Sequence, residues 1–276
     1  MKRILWLITW LLLIAVLLIL LIWLLKPQSN SPQQKPKSSQ AETQQPPKTK
    51  DKKGEIQPFS TTQITTELLL VSGMVKPESD ARFASLPDIY SSKKIYVQKP
   101  TQAALVKMID ATRADGIELK VISGFRSYNE QKIIWKRKWD ANEGQDDLTR
   151  VNQILKFSSM PGISRHHWGT DVDFNNLEPA YWRSETGVKT QQWLRQNAAS
   201  FGFCEPYSGK AQGKRSGGYE DEAWHWSYRS IALPLQKLRS ANMDNILHQP
   251  ITGQDVVLSM PERMRVYVTS VAVSCQ

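Results

Sequence analysis

Two short stretches of this chain combine the residue types that bind and use a catalytic metal. Residues 164–173 read SRHHWGTDVD, and residues 222–226 read EAWHW. A catalytic zinc site keeps three protein ligands and leaves one position to water. The two stretches supply such a set: His166, Asp173 and His225. Glu222 is then left free as a general base, so the chemistry predicted is metal-assisted hydrolysis.

The residues around Asp173 alternate with the period of a β-strand. Val172 and Phe174 fall on one face, whereas Asp171 and Asp173 fall on the other. We expect the first face to be buried and the second to carry the site. Gly169 predicts a turn before the strand, which lets the histidine seven residues upstream of Asp173 approach the same point.

The second stretch does not place its polar groups on one face. Strict strand alternation puts His225 and Glu222 on opposite faces, so a bend or a bulge must bring them together. The helical H-E-x-x-H arrangement, in which two histidines one turn apart share a face, is absent from the sequence.

Three ordered motifs resemble those of the VanY-type D-alanyl-D-alanine carboxypeptidases, LAS-type zinc peptidases that trim bacterial cell-wall peptides. The family pattern S-x-H-x-x-G-x-A-x-D matches at Ser164, His166, Gly169 and Asp173, and E-x-W-H matches at Glu222, Trp224 and His225. The turn S-G-[YF]-R-S matches within residues 121–128 and contains Arg126. Asp171 departs from the pattern, which has a small residue there, and it either supports the site, competes as a ligand or lies exposed.

The resemblance implies a role for each matching residue. One zinc ion is held by three ligands: His166, Asp173 and His225. Glu222 takes a proton from the attacking water and returns it to the leaving amine, and Arg126 stabilises the developing oxyanion. Ser164 and Gln131 hold the terminal carboxylate or the peptide groups of the substrate. His167 points away from its neighbour if the backbone is extended, and it either supports the site, faces the substrate or is exposed.

We therefore expect a zinc-dependent D-alanyl-D-alanine carboxypeptidase that releases the terminal D-alanine of peptidoglycan stem peptides. A peptidoglycan endopeptidase of the same fold is the nearest alternative. The two differ in whether a group in the cleft binds the terminal carboxylate. An inactive, zinc-stabilised module that binds the cell wall is the alternative from another class, and Glu222 argues against it.

An apolar run near the amino terminus predicts a membrane anchor. Residues 4–25 are rich in Leu, Ile and Trp, and as a helix they would span about 33 Å, enough for a bilayer core of roughly 30 Å. No small residues of a cleavage site end the run, so it predicts an uncleaved signal anchor. Lys2 and Arg3 favour a cytoplasmic tail at residues 1–3. We expect a single-pass protein of the bacterial inner membrane whose catalytic domain is extracytoplasmic.

The composition of residues 26–59 differs from that of the rest of the chain. This segment is rich in Pro, Gln, Ser and Lys and predicts a disordered linker, because it has too few large apolar residues to form a core. Its lysines account for part of the net charge of +10. The positive charge does not indicate nucleic-acid binding, since no DNA- or RNA-binding motif accompanies it.

Residues 60–276 are long enough for one catalytic domain. We expect an α+β fold in which a small antiparallel sheet carries the zinc site and helices pack against it. Apolar spacing predicts helices at residues 101–114, 128–139, 148–157 and 190–199, and strands at residues 117–122, 170–174 and 223–228. Residues 256–275 also alternate like a strand. The glycine-rich residues 209–218 predict a mobile loop that could act as a cleft flap.

The chain has two cysteines, Cys204 and Cys275. An extracytoplasmic compartment permits a disulfide between them, and two separate buried thiols are about equally compatible with the sequence.

Overall fold

The computed structural model describes residues 66–247 and 250–276. The anchor and linker predicted at residues 4–59, and the predicted start of the catalytic domain at residue 60, lie outside these ranges. Within them, no helix has both the length and the apolar character needed to cross a membrane.

Short strands and mostly short helices make up the described part of the chain. The strands are β1 Phe83–Ser85, β2 Tyr96–Gln98, β3 Val121–Ser123, β4 Asp171–Phe174, β5 Phe203–Cys204 and β6 His225–Tyr228. The α-helices are α1 Thr66–Val71, α2 Lys99–Ala114, α3 Tyr128–Asp140, α4 Asp147–Ile154, α5 Glu185–Asn197, α6 Arg229–Ala241, α7 Asp244–Leu247, α8 Gln254–Leu258 and α9 Pro261–Thr269. Single 3₁₀ turns occur at Asp88–Tyr90, Arg165–Trp168, Tyr181–Arg183, Ala198–Phe201 and Val273–Cys275.

A four-stranded antiparallel sheet of order β3-β4-β6-β5 lies at the centre of the fold. In its register Asp173 of β4 lies opposite His225 of β6 and opposite Ser123 of β3. Strands β1 and β2 form a separate antiparallel pair. Small antiparallel sheets with packed helices confirm the α+β prediction.

Strand β4 is buried on both of its faces. Val172 and Phe174 belong to an apolar cluster that includes Leu105 of α2 and Leu194 of α5, as their alternation predicted. The opposite face is covered by polar side chains that pair with one another, which is how buried charges are tolerated. The alternation therefore separates the core from a buried polar site, and neither face meets solvent.

Strand β3 is shorter than predicted. Its first residue, Val121, pairs with Phe174, where β4 ends, so the residues before Val121 have no strand partner in β4. The next residue, Asn175, has a φ of 54° in the left-handed region. Its side chain accepts a hydrogen bond from the Lys120 amide at 2.8 Å and donates one to the Glu118 carbonyl at 3.0 Å. Asparagine contacts thus replace strand pairing over residues 117–120.

A capping box sets the start of α3 directly after Arg126. The Ser127 hydroxyl accepts a hydrogen bond from the Glu130 amide at 3.2 Å, and the Glu130 carboxylate accepts one from the Ser127 amide at 2.8 Å. These bonds satisfy amide groups at the helix start that have no partner within the helix. The arginine motif therefore lies at a strand-to-helix turn, as expected.

The strand predicted within residues 256–275 is wrong, since this segment forms α8 and α9. Pro261 begins α9, and the buried residues of that helix are Met264, Tyr267 and Val268. Their spacing of three and four residues is that of a helix face. Val266, one of the residues that make the sequence alternate, is 37% exposed and does not belong to this buried face.

The two cysteines form a disulfide and are not separate thiols, the two alternatives that the sequence allows. Cys204 ends β5, Cys275 lies in the last 3₁₀ turn, and their Cα atoms are 5.5 Å apart. The bond attaches the carboxyl-terminal helices to the edge of the central sheet.

Arg215 fastens the glycine-rich segment that the sequence predicts as a flap. The residue is 5% exposed, and its guanidinium donates to the Tyr219 carbonyl at 2.7 Å and lies 3.2 Å from the Asp221 carboxylate. The loop has no regular secondary structure, but these bonds hold its middle against the domain.

Candidate metal centre and cleft

The structure brings the three predicted ligands to one buried point. Asp173 lies between the two histidines, with His166 Nε2 3.2 Å from Asp173 Oδ2 and His225 Nδ1 3.1 Å from Asp173 Oδ1. One ligand atom from each residue lies within 4.8 Å of the others. The predicted turn at Gly169, with a φ of 66°, brings His166 back towards the strand.

The remaining nitrogen of each histidine donates to an acceptor outside the cluster. His166 Nδ1 donates to the Gly124 carbonyl at 2.9 Å, and His225 Nε2 donates to Asp171 Oδ1 at 3.0 Å. His166 Nε2 and His225 Nδ1 are thereby directed at the carboxylate between them. Two imidazole nitrogens and one carboxylate oxygen, each ring held by an outer hydrogen bond, fit the donor set of a catalytic zinc ion.

Electrostatics favour an ionised carboxylate at this point. Burial alone would raise the pKa of Asp173, but His166 and His225 hold it well below its usual range. Burial lowers the pKa of His166, which favours the neutral ring that a metal requires. For His225, burial is outweighed by the hydrogen bonds to Asp171 and Asp173, which raise its pKa to about 9.

Asp171, whose role the sequence left open, is fully buried and supports the site from behind. Its carboxylate accepts hydrogen bonds from Arg165 at 2.7 Å and from the Thr170 hydroxyl at 2.6 Å, besides the bond from His225. Arg165 in turn donates to the Ser227 hydroxyl at 2.7 Å. This network neutralises two buried charges and orients one ring of the cluster.

Glu222 lies beside the cluster and is not one of its three residues. Its Oε2 is 3.7 Å from His225 Nδ1, and β6 begins only at His225. A turn closed by the His225 amide and the Glu222 carbonyl, 3.2 Å apart, brings the two residues together, as the required bend predicted. Burial raises the pKa of Glu222 to about 8.

Arg126 is fixed at both its side chain and its backbone. The guanidinium donates to Gln131 Oε1 at 2.9 Å and to Ser123 Oγ at 3.0 Å, and it lies 3.9 Å from Asp173 Oδ2. The Arg126 amide donates to the His166 carbonyl at 3.0 Å. Burial lowers the pKa of this arginine, and Asp173 opposes that shift.

His167 locks the Arg126 turn, a role that the sequence did not assign. Its Nδ1 donates to the Arg126 carbonyl at 2.6 Å, and its Nε2 accepts a hydrogen bond from the Gly162 amide at 3.0 Å. Burial is the main cause that lowers its pKa to about 3, so the ring is neutral. Gly73 packs so closely that a Cβ there would lie 2.3 Å from His167 Nδ1.

The two residues predicted to bind substrate lie in different surroundings. Ser164 is buried and lines the cavity beside the metal cluster. Gln131 does not line that cavity, because its amide donates to the Ser159 carbonyl at 2.7 Å while its oxygen accepts from Arg126. Gln131 thus acts in this structure by holding Arg126.

A cavity of about 480 Å³ opens over the cluster. Aromatic and aliphatic side chains form much of its wall: Ile134, Phe157, Leu177, Tyr207, Tyr219 and Trp224. Two basic residues of α3, Arg137 and Lys138, also line it. A cleft that combines an apolar wall with charged and hydroxyl groups can bind a small polar molecule or a peptide.

The carboxyl-terminal segment forms the backing of this wall. Ring centroids follow one another from Tyr267 of α9 to Tyr219 at 4.8 Å, to Tyr207 at 5.0 Å and to His225 at 4.7 Å. The disulfide joins the same segment to Cys204, which lies three residues before Tyr207 in the chain. The carboxyl-terminal segment therefore supports the cavity wall and the ring of His225.

Comparisons with known proteins identify one family. A family model described as VanY, D-alanyl-D-alanine carboxypeptidase, matches residues 94–231. The putative carboxypeptidase YodJ of Bacillus subtilis is 29% identical over 150 residues, which are 52% of each protein. A D-alanyl-D-alanine carboxypeptidase of Enterococcus faecalis is 30% identical over 129 residues, 46% of each protein. The chain therefore spans about half the length of these relatives.

Two solved structures are similar to this chain at lower sequence identity than these relatives. A structure of VanYB in complex with D-alanine-D-alanine is 23% identical, with a TM-score of 0.44, over 61% of this chain and 87% of that one. A zinc complex of a VanY mutant from a VanB-type resistance cassette is 25% identical, with a TM-score of 0.43, over 63% of this chain and 93% of that one.

Proposed function

Because this chain belongs to the VanY family of D-alanyl-D-alanine carboxypeptidases, we propose that it is a zinc peptidase that removes the terminal D-alanine of peptidoglycan stem peptides. The observation that carries this proposal is the convergence of three ligand atoms with Glu222 beside them and a cleft above. The set of ligands is His166, Asp173 and His225. A zinc ion held there would polarise the scissile carbonyl and make water a stronger nucleophile.

Glu222 serves in this proposal as the general base. It takes a proton from the attacking water and delivers it to the amine of the departing D-alanine, so the proton is conserved over the reaction. Burial raises its pKa to about 8, a shift that the neighbouring His225 opposes only in part. A bound cation would favour the carboxylate form and so make the base available at neutral pH.

Arg126 serves as the fixed positive charge for the oxyanion. Its hydrogen bonds to Ser123 and Gln131 hold the guanidinium before the substrate arrives, so little reorganisation is needed as charge develops. Ser164, at the cavity wall, is proposed to bind a peptide group or the terminal carboxylate of the substrate.

We further propose that the protein acts outside the cytoplasm. Residues 4–25 would anchor it in the bacterial inner membrane, and residues 26–59 would let the catalytic domain reach the wall. The Cys204–Cys275 disulfide agrees with an oxidising compartment.

The test uses the full chain in detergent, loaded with zinc, and a pentapeptide that ends in D-Ala-D-Ala. Mass spectrometry of the products should detect loss of one alanine, which a chelator abolishes and added zinc restores. Glu222→Gln should bind zinc but release no alanine. Glu220→Gln is the matched control, since Glu220 pairs with Lys210 outside the cleft and its loss should leave the rate unchanged.

Other outcomes assign the alternatives. Cleavage of an internal bond, in this peptide or in whole peptidoglycan, would identify an endopeptidase. Zinc-dependent binding of wall fragments without cleavage, unaffected by Glu222→Gln, would identify a wall-binding module and remove the peptidase proposal.

A further inference from the structure

Helix α3 directs one of its faces at the cleft. Gln131, Ile134 and Lys138 are spaced at three and four residues and so share a side of the helix. Gln131 holds Arg126, whereas Ile134 and Lys138 line the cavity itself. At 1.5 Å per residue, Lys138 lies about 10 Å further along the helix than Gln131. The cleft thus has a positive charge further along the helix from Arg126, in addition to Arg126 at its reacting centre.

The cations that line the cavity differ in whether they already have partners. Arg126 donates to two side chains, and Arg165 forms a buried ion pair with Asp171. Lys138 and Arg137, in contrast, have no ion pair and no side-chain hydrogen bond with any residue in the described ranges. Two basic groups therefore face the cavity unpaired.

The surroundings of Lys138 make an unpaired charge costly. The side chain is half-buried, and burial lowers its pKa, a shift that Glu222 opposes. The carboxylates of Glu178 and Glu222 also line the cavity, but neither lies within 4.0 Å of its ammonium group. A partly desolvated cation gains most from an anion that enters the cleft and excludes water.

The same helix contains a lysine with the opposite character. Lys136 is exposed on the outer face and forms an ion pair of 2.7 Å with Asp140, four residues on. It does not line the cavity. Lys136 is therefore a matched control for the charge of α3 without access to the cleft.

We propose that Lys138, assisted by Arg137, forms a subsite that binds a carboxylate of the peptide substrate, while Arg126 serves the reacting carbonyl. This inference rests on the proposed peptidase function and adds a determinant of its specificity. The carboxylate has two possible sources in a stem peptide, the chain terminus and an acidic residue on the other side of the scissile bond. The chemistry recognised is the same, so the experiment must separate the two.

Three synthetic pentapeptides that end in D-Ala-D-Ala make this separation. The first keeps every carboxylate, the second has its internal carboxylates converted to amides, and the third has its terminal carboxylate amidated. The zinc-loaded full chain, Lys138→Met, Arg137→Gln and Lys136→Met are compared by kcat/KM for each peptide. Thermal unfolding of each variant establishes that the fold is retained.

The expected result is a loss that depends on the substrate. Lys138→Met should lower kcat/KM for the first peptide by roughly tenfold to a hundredfold, mainly through KM, because a charge-assisted hydrogen bond is lost. It should have little effect on the one peptide that lacks the recognised carboxylate, and that peptide identifies the source. Arg137→Gln should act in the same direction more weakly, and Lys136→Met should change nothing.

An equal loss on all three peptides, or no loss on any, would overturn the subsite. If the unaltered protein cleaves none of them, the proposed function fails, and calorimetric binding of the same peptides to the unaltered chain and to Lys138→Met still tests the inference. Equal binding of all three peptides by both proteins would then reject it.

Discussion

His225 donates a hydrogen bond of 3.0 Å from its Nε2 to Asp171, a residue two positions before the predicted ligand Asp173 on the same strand. Because side chains two apart share a strand face, Asp171 and Asp173 both reach the imidazole of the opposite strand. One carboxylate faces the candidate metal point, and the other fixes the ring from behind. The departure from the family motif is thus a built part of the site.

Asp171→Asn should weaken zinc binding without removing a ligand. The carboxylate accepts from Arg165 and His225 at Oδ1 and from the Thr170 hydroxyl at Oδ2, whereas an amide has a single acceptor oxygen and no charge. Ring orientation and basicity are therefore weakened, and the zinc affinity should fall roughly tenfold to a hundredfold. Competition with a fluorescent chelator measures this affinity. Ser227→Ala removes a different bond to Arg165 and should have a much smaller effect. Equal losses in the two variants would contradict the assignment.

Arg126→Lys should reduce turnover and leave zinc content unchanged. An ammonium group cannot donate simultaneously to Ser123 and Gln131 in the planar geometry of the guanidinium, so the charge is no longer held in place. We expect kcat to fall by about a hundredfold or more. Steady-state kinetics with metal analysis checks both quantities. Retention of near-normal kcat would show that Arg126 does not stabilise the oxyanion.

Replacing both cysteines by serine should destabilise the domain. The disulfide closes a loop with a sequence separation of 71, for which chain entropy predicts a contribution of about 4 kcal/mol to the free energy of unfolding. Urea unfolding with and without reductant measures it. The unaltered chain should lose stability in reductant, and the Cys204→Ser, Cys275→Ser double variant should not respond. A reductant-insensitive unaltered chain would exclude this contribution.

His167 should make stability depend on pH in a defined direction. Its folded-state pKa of about 3 lies below the ordinary value of 6.5, so the unfolded state binds a proton first as the pH falls. The stabilisation is complete above pH 6.5 and is lost as the pH falls from about 6.5 towards 3. Between pH 7 and 5 this residue should cost about 2 kcal/mol.

The measurement for His167 compares urea unfolding of the metal-free chain with that of His167→Gln at pH 7 and pH 5. The glutamine has an amide that can donate to the Arg126 carbonyl but has no group that titrates in this range. The variant should lose about 2 kcal/mol less over the interval. Identical losses in the two proteins would mean that His167 is not the responsible group.

Much of the fold could be predicted because its signals are local. The helix predicted at residues 128–139 is observed as Tyr128–Asp140, since apolar spacing and a capping box both lie within the segment. The strand predicted at residues 170–174 is observed as Asp171–Phe174 for the same reason. The strand prediction for residues 256–275 was wrong, because period-two and helical patterns coincide in a short valine-rich run. Packing of the helix against Tyr219 is a tertiary contact that the pattern does not contain.

The sequence by itself determined which residue types meet at the centre. Two histidines, an aspartate and a glutamate form a set whose residue types predict metal chemistry, and the family resemblance adds an arginine. Their local elements follow from periodicity and turn residues. Only the tertiary structure decided what surrounds them. Asp171 became a partner of His225, Gln131 a support of Arg126 and Lys138 an unpaired cation in the cleft. Each of these roles depends on strand register, burial and contacts between distant segments, which local sequence does not specify.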